Sequence, residues 1–142
     1  MNEVIVSAKN SAGMMAQVQA GGETFVIDES GLTDGVKTGP DPYDYILSAL
    51  GACTVITLQM YAQRKQWPLE RAEVRLRHER MHKDDCAHCA QEDAKLNQIT
   101  KRLYLFGDLN PAQRQRLEDI SARCPVQKTL EAGLSIKTIL ED

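Results

Sequence analysis

Short runs of alternating apolar and polar residues lie on both sides of one long uncharged block. In residues 2–8, NEVIVSA, Val4 and Val6 alternate with polar neighbours, which predicts a strand. AQVQAGGETFVID predicts two strands joined at Gly21-Gly22. Residues 28–42, DESGLTDGVKTGPDP, read as a loop long enough for a functional or subunit-contact role. The block between Asp44 and Arg64 carries no charge and predicts a helix from Asp41 or Pro42 to about Gln66. Pro42 suits its first turn, and Trp67-Pro68 ends it. Ser48, Gly51, Thr54, Thr57, Gln59 and Gln63 make it too polar for a membrane span. A helix apolar nearly all round is then expected to be buried.

Downstream, RAEVRLRHER alternates: Ala72, Val74, Leu76 and His78 face one way, and Glu73, Arg75, Arg77 and Glu79 the other. That is a half-buried strand. NQITKRLYLFG predicts a second one, stopped by Gly107. DLNPAQRQRLEDISAR predicts a helix with Asn110 as N-cap and Pro111 at its first position. Leu117, Ile120 and Cys124 share one face of it. A short helix follows Cys124-Pro125 and stops at Gly133, and LSIKTIL predicts a closing strand. Strands and helices in this order form an α+β fold rather than alternating βαβ units. No internal repeat or low-complexity segment breaks the chain, so residues 1–142 are read as a single domain. A long apolar helix needs cover on several sides, which predicts an obligate homodimer.

Composition narrows the function. The chain has 142 residues, 42% hydrophobic and 26% charged, which excludes disorder. A net charge of −3 with mixed signs argues against nucleic-acid binding. The start MNEVIVSAKNSAG lacks the features of a secretion signal, so a cytoplasmic location is expected. Cysteines in a reducing compartment are buried, catalytic or metal-binding more often than bridged.

There are four: Cys53, Cys86, Cys89 and Cys124. Cys53 lies mid-helix among Ala49, Gly51 and Ala52, small residues that would let a substrate approach. From spacing alone, a small core hydrophobe is the favoured reading. Cys124 sits where a helix cap would sit, and a helix start stabilises a thiolate. Arg123 and Lys128 add positive charge; the alternative is a half-buried thiol at a turn. HERMHKDDCAHC offers His78, His82, Cys86 and Cys89 as zinc ligands or a redox pair, or is simply an exposed turn. The spacing matches no familiar zinc finger. Phosphate-loop, Gly-x-Ser-x-Gly and His-Glu-x-x-His motifs are missing, so no cofactor is expected.

GPDPYDYILSALGACTVITLQMYA followed by GDLNPAQRQRLEDISARCPVQKTLEAGLSIKTIL resembles the OsmC/Ohr family. DDCAHC is similar to a feature of an OsmC-like subgroup. The resemblance covers nearly the whole chain. It implies an intertwined homodimer, with two long central helices wrapped by sheets built from both chains. It implies thiol-dependent reduction of small, often organic, hydroperoxides in oxidative-stress defence. Cys53 then corresponds to the peroxidatic cysteine and Cys124 to the resolving one, with an external dithiol as reductant. The family's peroxidases carry an arginine in the N-terminal strands; this chain has none before Arg64. They carry a glutamate ten residues before the peroxidatic cysteine; here Tyr43 stands there, with Asp44 next, as possible assisting residues. Gln127 stands where the subgroup often has histidine. These departures leave a second function open, a dimeric small-molecule-binding protein without efficient peroxidase activity.

Overall fold

The structure is a computed structural model and describes residues 3–80 and 97–141. Contacts divide the chain into two compact units, Met1–Ile46 and Leu47–Asp142, with the boundary inside the long helix.

The first unit holds an antiparallel sheet of β1 (Ile5–Ser7), β2 (Met15–Ala20) and β3 (Glu23–Asp28) in sequential order. Gly21 and Gly22 both take positive φ, 57° and 83°, as a two-residue hairpin turn of the primed type requires. A 3-10 turn, Asn10–Ala12, separates β1 from β2. The expected loop of residues 28–42 contains a short helix, α1 (Gly31–Asp34). Asp28 organises the segment, accepting hydrogen bonds from the Ser30 backbone and hydroxyl and from the Thr38 hydroxyl. These bonds hold its carboxyl below the usual range. Tyr45 stacks on Phe25 with ring centroids 5.3 Å apart.

The long helix, α2 (Pro42–Lys65), matches its predicted bounds. By length and composition it could cross a membrane. Within the second unit it lies against a ribbon of β4 (Arg71–Arg80) and β5 (Asn97–Phe106), paired antiparallel over their full length. Leu58 and Ala62 of α2 form the core with Leu69, Leu109, Leu117 and Ile120. Leu117 and Ile120 come from α3 (Pro111–Ser121). Asn110 caps α3 as predicted, in a reciprocal capping box with Gln113. The last helix is α4 (Pro125–Ala132), capped by Cys124.

In the single chain α2 is covered on one face: Leu50, Gly51, Thr54, Leu58 and Ala62 are buried, and Ile46, Ile56 and Met60 are exposed. One expectation is corrected: LSIKTIL forms no strand. Its alternation is right for a strand, but it pairs with neither sheet, and Leu134, Ile136, Ile139 and Leu140 face solvent.

Candidate functional site

The site is built where α2 crosses the β4–β5 ribbon. Leu76 pairs with Lys101 and Val74 with Leu103 across the ribbon. Gly51 faces Leu76 and Val74: a Cβ there would lie 2.9 Å from Leu76 Cδ1 and 3.4 Å from Val74 Cγ1. A side chain at residue 51 would therefore force the Leu76 side chain to shift and crowd Val74. One turn along, Thr54 is fully buried beside Lys101 and Cys124.

Cys124 is also fully buried. Its Sγ accepts a hydrogen bond from the Gln127 backbone N–H at 3.4 Å, so the thiol caps α4, with Pro125 at the first helical position. The same Sγ lies 3.8 Å from Thr54 Oγ1, on the residue that follows Cys53. Thr54 Oγ1 donates to the Leu50 carbonyl at 2.8 Å. Cys53 is half-buried on the same helix, and both sulfurs are unbridged.

Lys101 completes the cluster. Its Nζ donates to Thr54 Oγ1 at 3.0 Å and to the Ser121 carbonyl at 2.9 Å. Burial pushes its pKa down, while negative charge at Cys124, at Cys53 and at Glu131 pulls it back up. The ammonium thus lies within electrostatic reach of both thiols. A recess of about 680 Å³ opens beside it, walled by Leu103, Leu105, Arg114 and Glu118. One turn beyond Cys124, the buried Gln127 Oε1 has no hydrogen-bond partner among the described residues.

The other predicted residues lie elsewhere. Asp44 is at the start of α2: its carboxylate accepts from the Asp41 N–H and from Lys37 Nζ, while Asp41 accepts from the Asp44 N–H. The Lys37 hydrogen bond holds the Asp44 carboxyl below its usual range. Tyr43 is exposed. Cys86, Cys89 and His82 lie outside the described residues. His78 is half-buried and its ring Nε2 meets Asn97 Oδ1 at 3.2 Å. Among the described residues no cluster of metal-ligating side chains occurs.

Sequence reasoning missed Lys101 and Thr54. The signal for Lys101 was present: Ile99, Lys101, Leu103 and Leu105 fall on one face of β5. A lysine in phase with an apolar face is a polar group that needs an internal partner.

The arrangement is that of a mixed α+β protein with two free thiols on a helix-and-ribbon scaffold. The OsmC family profile, described as OsmC-like protein, matches residues 34–139, so the chain belongs to that family. Solved structures share the fold. An OsmC-like protein from Mycoplasma pneumoniae superposes with a TM-score of 0.70 at 15% identity, covering 92% of this chain and 87% of that one. The organic hydroperoxide resistance protein OhrB of Bacillus subtilis gives 0.58 at 17% identity, covering 90% and 88%. An organic hydroperoxide resistance protein OsmC from Legionella pneumophila gives 0.62 at 14% identity, covering 90% and 87%. No curated protein sequence matches significantly.

Proposed function

We propose that the chain is a thiol-dependent reductase of small organic hydroperoxides, acting through Cys53 and Cys124 in oxidative-stress defence. The observation that carries this reading is the contact between Cys124 Sγ and Thr54, the neighbour of Cys53, in a protein of the OsmC family. Relatives of the same fold bear the name organic hydroperoxide resistance protein.

The Cys53 thiolate attacks the terminal peroxide oxygen. The O–O bond breaks, Cys53 becomes a sulfenic acid, and the alkoxide takes a proton to leave as an alcohol. Cys124 then attacks the Cys53 sulfur, the S–O bond breaks, and hydroxide leaves as water after taking a proton. An external dithiol reduces the disulfide by exchange. Half-burial suits Cys53 to meet a substrate, and full burial suits Cys124 to react inside the protein. Asp44 and Tyr43, at the start of α2, stand as possible assisting residues, with the Asp44 carboxylate bonded to the Asp41 N–H and to Lys37. The working form is a cytoplasmic homodimer, supported by the exposed apolar residues of α2 and of residues 134–140.

The second reading, a binding protein without efficient turnover, is favoured by one sequence fact and one structural one. The chain has no arginine before Arg64, and the recess beside Lys101 could hold a ligand. Peroxide consumption with a dithiol reductant separates the two. The reductase reading expects turnover in the wild type and background rates for Cys53→Ser. Wild-type rates equal to those of Cys53→Ser would leave the binding reading.

A further inference from the structure

Lys101 is the described cation that reaches the thiol cluster from the sheet side, and its two hydrogen-bond partners are both uncharged oxygens. A lysine on the apolar face of a strand has to be desolvated, and here its Nζ bridges the Ser121 carbonyl at the end of α3 and the buried Thr54 hydroxyl. We propose that Lys101 is the positioning cation of this site: acting through Thr54, it stabilises the thiolate that Cys124 must form to close the disulfide. This rests on the reading that Cys53 and Cys124 are the reacting pair.

Hydrogen-bond accounting at Thr54 shows how it works. A hydroxyl has one proton to give and two lone pairs to accept with. The Thr54 proton goes to the Leu50 carbonyl. One lone pair accepts from Lys101 Nζ, which leaves the other for the S–H of Cys124. That is the arrangement for a neutral thiol. Once Cys124 loses its proton, the same contact needs a donor. The Thr54 hydroxyl can turn from Leu50 to the sulfur, because the Leu50 carbonyl remains bonded in the helix ladder. Lys101 keeps the Thr54 oxygen in place through that turn and sets a positive charge two hydrogen-bond lengths from the sulfur. The Gln127 N–H already points at the sulfur from the start of α4. In the closing step the S–S bond forms, the S–O bond of the sulfenic acid breaks, and the proton given up by Cys124 is balanced by the one hydroxide takes to become water.

Charged or titratable groups near Lys101 are Cys53 on α2, Cys124, Glu131 on α4, and Arg114 and Glu118 of α3, which line the same recess, while Arg123 and Lys128 flank Cys124 in the sequence. Among the described charged groups, Lys101 alone is hydrogen-bonded to the hydroxyl that touches Cys124.

The test uses full-length protein with Cys53, Cys86 and Cys89 changed to serine, so that Cys124 is the sole thiol. Thiolate is followed by its ultraviolet absorbance across pH. With Lys101→Met, the thiolate-to-thiol ratio at Cys124, compared at one pH, should fall about tenfold. Lys101→Arg should retain most of it. Equal ionisation in the parent and in Lys101→Met overturns the proposal. If Lys101→Met does not fold, the reciprocal measurement decides. Followed by nitrogen-detected NMR, Lys101 should lose its proton at lower pH in Cys124→Ser than in the wild type; identical curves overturn the proposal. No peroxide enters either titration. A protein that shows this coupling but ignores hydroperoxides keeps Lys101's role and loses the reductase reading, whereas an active protein without the coupling does the reverse.

Discussion

Gly51 decides how closely α2 can lie on the β4–β5 ribbon, since a Cβ there would sit 2.9 Å from Leu76. Gly51→Val should destabilise the protein by about 1–3 kcal/mol through overpacking. The check is a thermal melt, expected to fall by several degrees. Cys124→Ser probes the next link. It removes the resolving sulfur and leaves Cys53 in place, so one equivalent of hydroperoxide should be consumed and the Cys53 sulfenic acid should be trappable with dimedone. A variant that still turned over with full rate under dithiol would contradict the assigned order. Residue by residue, the site was half legible. The two cysteines stood out through their motifs. The partners of Lys101 did not, because Thr54 is near it only in space. Alternation in β5 puts Lys101 on the inner face, but no local pattern says what meets it there.

Helix starts were the most legible elements, because a cap is decided within four residues. Asn110-Pro111 and Cys124-Pro125 both begin helices as read from the sequence. Asn110→Ala should cost about 1 kcal/mol, measured by denaturant unfolding. The start of α2 gives a pH prediction. Asp44 has its folded pKa lowered from 3.8, first by the Lys37 hydrogen bond and then by the Asp41 N–H. Its stabilisation is therefore present above pH 3.8 and is lost as pH falls through the lower folded value. Acid titration of unfolding should show a steeper loss in the wild type than in Asp44→Asn in that window. The closing strand was misread for the opposite reason. Alternation in LSIKTIL is a local property, whereas a strand exists only where an edge accepts it, and neither sheet of this chain does so.

For the molecule as a whole, the described residues of the single chain leave large hydrophobes exposed. Ile56 and Met60 on α2 are each 57% exposed, and Ile136 and Leu140 are 87% and 94% exposed. Exposed hydrophobes also occur on the first sheet, at Ile5, Val6, Met15 and Val26, and such surface is what the proposed homodimer would cover. Sedimentation should give twice the chain's 15.8 kDa, and Ile56→Asp or Ile136→Asp should shift it toward the single-chain mass. A helix apolar on all sides was visible in the sequence; which of its residues stay uncovered in the single chain was not, since that depends on where the ribbon lands.

The most direct test of the central claim is intact mass and peptide mapping after one equivalent of an organic hydroperoxide. The account predicts a disulfide between Cys53 and Cys124, with the loss of two hydrogens per chain. Thiols that remain free, or a bridge that leaves out Cys53, would contradict it.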